Sequence, residues 1–248
     1  MDIDFPPFDF LQMTVVISAV VIAYTIKGLS GFGAGLIAIP ILSLVLPVTL
    51  AVPAVSLLSY GANLTQSFRL KHDTCWSDIL PLIPFCLLGV VSALWLLSNV
   101  NSQQLSLAMG LFVIAYGLYS LLPMRQLSGR RIWAIPFGAV GGFIGGLFGS
   151  SGFVYVIYLK LRPLNKAQFR ASVAMALTLD GTLRMSGYIV SGFFTTHVLV
   201  LVCFLFPILL LSMRLGNLIH LNINPSRFNQ VISILLTATG AVLVYKSM

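Results

Sequence analysis

Two short stretches concentrate the residues able to do chemistry. The first, "IKGLSGFGAGLIAIP" (26–40), places Lys27, Ser30, Gly31, Gly33 and Gly35 inside an apolar run. The second, "FGSSGFV" from Phe148, holds Gly149, Ser150, Ser151 and Gly152. Further along, Asp180 and Arg184 stand four positions apart, a spacing that lets them pair on one helix face. Asn63 and Gln66 form a polar stripe in the matching part of the first half.

Glycine frees the backbone to turn and to approach other backbone closely. A turn between two half-helices leaves free N–H groups and a positive dipole end at the second helix start. Two such starts facing each other make an anion site. Hydroxyls of Ser30, Ser150 and Ser151 add donors, while Lys27 and Arg184 add positive charge. A cation within a membrane segment usually faces a cavity or a partner. The bland readings are tight helix packing for the glycines, snorkelling for Lys27, a neutralised ion pair for Arg184 and interhelical hydrogen bonding for Asn63 and Gln66. Asp180 is the acidic residue set deep in a segment. It is a coupling candidate that could carry a proton, although pairing with Arg184 would hold it ionised.

The elements that position these residues follow from composition. The chain has 248 residues, 58% hydrophobic and 8% charged, with no glutamate. Mean hydropathy is +1.00. Soluble domains carry about 25% charged residues, so this composition requires an integral membrane protein in contact with a lipid bilayer. Period-two alternation is absent, which argues against an outer-membrane barrel. The expected fold class is all-α and polytopic.

Ten apolar segments are expected at about 11–26, 33–46, 50–68, 78–98 and 103–122, then 132–147, 151–161, 166–190, 196–215 and 226–246. Both halves read two short, three long. An ungapped register of 118 residues lays Gly31 on Gly149 and Gln66 on Arg184. Weak internal symmetry with interrupted helices in corresponding places is a signature of secondary transporters. The expected division is a first membrane repeat (1–124), a basic cytoplasmic linker (125–131) and a second membrane repeat (132–248), all one membrane domain.

Segment 11–26 reaches only about 24 Å and 33–46 about 21 Å at 1.5 Å per residue. Neither spans a core of about 30 Å comfortably. Each pair is expected to be a broken or re-entrant hairpin whose turn in the first half lies over Gly28–Gly35. If each pair returns to its starting side, Arg69, Lys71, Arg125, Arg130, Arg131, Lys160, Arg162, Lys166, Arg170, Arg214 and Arg227 share one face, against Lys246 on the other. That is the positive-inside pattern. It explains the net charge of +8 without nucleic acid. It sets both termini outside and inverts the second repeat relative to the first. The start, "MDIDFPPFDF", is acidic and does not read as a cleavable signal peptide.

Other chemistries fit less well. Cys75, Cys86 and Cys203 are far apart and form no CxxC, so they read as buried or inert thiols. His197 and His220 fall at opposite faces, so no metal or other cofactor is expected. "GSSG" (149–152) is similar to the serine-containing glycine loop of intramembrane serine proteases, but such an enzyme needs a histidine beside its serine. No GxxxxGK[ST] is present, so energy must come from a gradient or from a partner, a proton or a sodium ion being the coupling-ion candidates. An anion channel is the other alternative.

"GLSGFGAGLIAIPIL" and "GGFIGGLFGSSGFVYVIYL" resemble the paired glycine-rich signatures of the TauE/SafE family of sulfite exporters, also called organosulfonate permeases. The resemblance covers essentially the whole chain. In the second signature Phe148 and Gly149 match. Ser150 and Ser151 replace an apolar residue and a glycine, and Tyr158 stands where Pro40 would align. The resemblance implies a bacterial inner-membrane carrier, not an enzyme, exporting a small anion such as sulfite or sulfoacetate.

Overall fold

The computed structural model describes residues 10–31, 33–121, 129–218 and 225–247. Residues 125–128 of the linker expected at 125–131 lie outside the described residues. The chain folds into helices α1 (Phe10–Ser30), α2 (Ala34–Leu42), α3 (Val48–Leu70), α4 (Trp76–Ile79), α5 (Ile83–Asn99), α6 (Ser102–Ser120), α7 (Ala134–Phe148), α8 (Gly152–Lys160), α9 (Lys166–Val190), α10 (Thr196–Leu218) and α11 (Pro225–Ser247). Short 3-10 turns precede α4, α5 and α7. No strand occurs among the described residues, so the all-α reading holds.

By length and composition, five stretches among the described residues can cross a membrane: Phe10–Leu29, Val48–Asp73, Trp76–Asn99, Arg131–Phe148 and Thr196–Gly216. Large apolar side chains such as Trp95, Val190 and Leu211 face outward, as a lipid-facing surface requires.

One expectation is corrected. α1 does not stop near residue 26: it has 21 residues, about 31 Å of helix. Its last turn carries Lys27 and Gly28, and the chain reverses only around Gly31 and Gly33, at φ +84° and +90°. The apolar count missed this because a lysine, a glycine and a serine end an apolar run without ending a helix. α2 is a true half-helix of nine residues. The second pair has the same form, with α7 ending at Gly149 (φ +65°) and α8 again nine residues long.

The boundaries keep the 118-residue register. α1 and α7 end at Ser30 and Phe148, α2 and α8 start at Ala34 and Gly152, and α3 and α9 start at Val48 and Lys166. The packing is also unchanged when the halves are exchanged. α1 lies on α10 as α7 lies on α5; α3 packs on α9, and α6 on α11. Ser67 bonds Thr178 and Tyr60 bonds Thr182, so α3 and α9 run antiparallel. Gly110 meets Gly240 while Gly117 meets Thr237, so α6 and α11 do too. Leu82, Cys86 and Ala93 lie against Gly138, Gly142 and Gly146, so α5 and α7 run parallel at glycine-limited distance. The main core joins α1, α2 and α3 to α5, α6, α10 and α11.

Candidate functional site

The first break is built on the last turn of α1. The Gly31 N–H closes that turn on the Lys27 carbonyl at 2.7 Å. Lys27 does not snorkel: it is buried, and its ammonium donates to Asn63 Oδ1 at 2.7 Å and to the Ser59 carbonyl at 3.2 Å. Ser59 and Asn63 are one turn apart on α3, so together they form a seat for one cation. Tyr24, one turn before Lys27, lays its ring 5.9 Å from the ammonium, near the limit of a cation–π contact. Its hydroxyl lies 2.9 Å from Ser59 Oγ. Gln66, half-buried, brings its amide beside Gly31: a Cβ there would stand 3.4 Å from Nε2. Gly33 looks into open space, since a Cβ on it would touch nothing within 4 Å. The Ser30 side chain lies outside the described residues.

The second break is organised around a carboxylate. Asp180 Oδ2 accepts from Ser151 Oγ at 2.6 Å and pairs with Arg184 Nη2 at 3.4 Å. Oδ1 accepts from the Tyr155 hydroxyl at 3.1 Å and the Cys86 thiol at 3.3 Å. Asp180, Arg184 and Ser151 are all buried. Such a carboxylate is tolerable only because donors meet both oxygens. Arg184 Nη1 also donates to the Gly145 carbonyl at 2.6 Å. The Tyr188 hydroxyl donates to Gly146 at 2.8 Å. Arg184 Nε is buried with no partner.

The two breaks touch. A Cβ at Gly35 would stand 2.5 Å from the Gly149 carbonyl oxygen and 3.6 Å from Ser150 Cβ. Gly149 itself is pressed by Ile39 of α2 and lies beside Ser56 of α3. α2 and α8 begin at this junction, capped by Gly33 and Ser151 with no side-chain bond to their free N–H groups. Ser151 gives its hydroxyl to Asp180 instead.

The structure therefore brings Lys27, Gly31, Asn63 and Gln66 together at one break. It gathers Gly149, Ser151, Asp180 and Arg184 at the other, with Gly35 and Ser150 where they meet. Gly152 opens α8. In the 118-residue register Lys27 aligns with Gly145 and Gln66 with Arg184. Each half thus ties its first helix to its third with one cation, carried on α1 in the first half and on α9 in the second. Sequence reasoning missed Tyr24, Ser59, Cys86, Gly145, Tyr155 and Tyr188. The one available signal was the recurrence of tyrosines close to both breaks.

The serine-hydrolase reading finds no support in this geometry: the partner of Ser151 is a carboxylate that also holds an arginine. His72 is exposed on the α3–α4 connector, and His220 lies outside the described residues. Among the described residues, no group of three His, Cys or Asp side chains could hold a metal ion.

An all-helical bundle with an apolar outer face and two interrupted helices meeting inside it defines a polytopic membrane protein. The chain belongs to the sulfite exporter TauE/SafE family, whose profile matches residues 16–243. It is a membrane transport protein of that family. It is 25% identical over 226 residues, 87% of each chain, to the probable sulfite/organosulfonate exporter TauE of Cupriavidus necator. It is 24% identical over 199 residues to the probable inner membrane transporter protein TsaS of Comamonas testosteroni, covering 79% of this chain and 80% of that one. No solved structure matches the chain.

Proposed function

We propose that the protein is a secondary transporter that exports a small anion across the bacterial inner membrane by alternating access. The anion is sulfite or an organosulfonate such as sulfoacetate, held where the two breaks meet. The observation that carries this reading is the contact of the two glycine breaks beside two buried cations. Uncapped starts of α2 and α8 supply N–H donors there. Lys27 and the unpartnered Arg184 Nε supply charge, and Gln66, Ser150 and Ser151 supply polar reach. The sulfur chemistry of the anion comes from the names of the two relatives.

Antiparallel packing of α3 on α9 and of α6 on α11 supports two inverted repeats, 1–124 and 132–248, because corresponding helices of parallel repeats would run the same way. The basic residues then place the 125–131 linker in the cytoplasm and both termini outside. Asp180 is the coupling candidate: an anion drawn to Arg184 changes the charge balance around the carboxylate, which is how a proton would enter the cycle.

The test is counterflow in proteoliposomes. Vesicles loaded with unlabelled sulfite should accumulate external [35S]sulfite transiently and saturably, and sulfoacetate should compete. Unitary currents in place of saturable counterflow would make the protein a channel. Labelling of Ser151 by a fluorophosphonate would restore the hydrolase.

A further inference from the structure

A second charged cluster lies away from the central site and joins the two halves. Asp78 on α4 is buried, and its Oδ1 accepts from Arg131 Nε at 3.1 Å and Arg162 Nε at 3.0 Å. Arg131 leads into α7 and Arg162 follows α8. Arg162 also donates to the Gly129 carbonyl, and Arg131 to Ser77 Oγ. The Tyr158 hydroxyl of α8 holds the Asp78 carbonyl at 3.0 Å. A carboxylate of the first half thus ties down both ends of the second half's helix pair.

A cavity of about 10 Å³, room for about one water, is lined by Ile79, the residue after Asp78. It begins at Ile79, next to Asp78, passes Leu82 and Cys86, and reaches Tyr155 and Asp180. It follows the seam where α5 and α8 pack on α9. Apart from its inner end the lining is apolar.

At the opposite end, the residues that the repeat register sets against this cluster are not charged. In the 118-residue register Asp78 and Arg162 align with Thr196 and Leu44. There Lys246 donates to the Leu44 carbonyl at 2.7 Å. An ionic tie between the halves, close to a small cavity that reaches a buried carboxylate, is what a gate needs.

We propose that Asp78, Arg131 and Arg162 form a latch that closes the face they occupy, and that the α5–α8–α9 seam is the passage opened on its release. A small anion is the chemical class that releases it. An anion arriving at this face competes with the Asp78 carboxylate for the same two guanidinium groups, and it meets them freed at the mouth of the passage. This assignment rests on the transporter reading above, deepens it, and has a readout that requires no substrate.

Cys86 lines the passage and is buried. In a Cys75→Ser, Cys203→Ser background it reports opening through its rate of modification by a membrane-impermeant methanethiosulfonate. Vesicles of both orientations are used. The expected result for Asp78→Asn is modification at least tenfold faster than the parent, only from the face bearing Arg131 and Arg162. Asp78→Glu should stay close to the parent. If Asp78→Asn does not fold, Arg162→Gln carries the same expectation. A reducible bifunctional thiol reagent bridging Asp78→Cys to Arg162→Cys, in a background lacking the native cysteines, should stop [35S]sulfite counterflow until dithiothreitol is added. Unchanged Cys86 modification, or equal acceleration from both faces, overturns the latch. Faster Cys86 modification in Asp78→Asn, together with a parent that never exchanges sulfite, overturns the choice of anion and leaves the latch standing.

Discussion

Arg184 is the side chain on which most of the site converges. It holds Asp180 at 3.4 Å and Gly145 at 2.6 Å, and leaves Nε free. Removing one member of a buried ion pair strands the other, at roughly 3–5 kcal/mol. Arg184→Ala should therefore lower the melting temperature sharply. The double variant Asp180→Asn, Arg184→Gln replaces both charges with amides of similar shape and should recover much of that stability without recovering sulfite counterflow. Lys27→Met leaves Asn63 Oδ1 and the Ser59 carbonyl without their donor, about 1–3 kcal/mol for a buried acceptor. Its larger effect should be on anion affinity, at least tenfold, read from the concentration dependence of counterflow. Asp180→Asn alone should abolish acceleration by a pH gradient, and full pH-driven transport in that variant would remove Asp180 from coupling. The Asp180–Arg184 pair was legible in the sequence because it is local, four positions on one helix. The seat of Lys27 was only half legible. Asn63 stood out as a polar residue in an apolar run, but its partner is 36 positions away.

At the scale of elements, the glycines separate into those that bend and those that admit a neighbour. Gly33 has φ +90° and open space around it. Gly33→Ala should cost only the left-handed conformation, about 1–2 kcal/mol. Gly149 has positive φ and also Ile39 against it. Gly35 is helical and is limited by the Gly149 backbone. Gly35→Ala and Gly149→Ala should both exceed Gly33→Ala in lost thermal stability, because backbone and packed core cannot yield as a loop can. Helix starts were readable from apolar runs and glycines, and α2, α3, α8 and α9 lie close to where they were expected. The end of α1 was not, since the bonds from Lys27 to Ser59 and Asn63 of α3 let a buried lysine stand inside the helix.

At the scale of the whole molecule, the repeat at 118 residues was legible in spacing, while its packing consequence was not. No local pattern says that α1 lies on α10 or that α7 lies on α5. The latch escaped for the same reason: Asp78 and Arg162 are 84 positions apart, Asp78 fell at the start of the segment expected at 78–98, and Arg162 counted only among the basic residues of one face. The proposed inverted arrangement predicts sidedness. A cysteine at Gln126 should be modified only from the cytoplasm, and one at Ser191 only from outside. Periplasmic modification at Gln126 would reverse the topology and with it the face assigned to the latch.

The central claim is that a small anion is held between Lys27 and Arg184 where the two breaks meet. Ligand-induced thermal stabilisation of the purified protein tests it most directly, with sulfite, sulfoacetate, sulfate, carboxylates and neutral amino acids compared on the parent and on Lys27→Met. The account predicts that sulfite or the sulfonate raises the melting temperature of the parent, that neutral ligands do not, and that Lys27→Met loses most of the rise. Stabilisation by neutral or cationic ligands alone, or an equal rise in Lys27→Met, would contradict it.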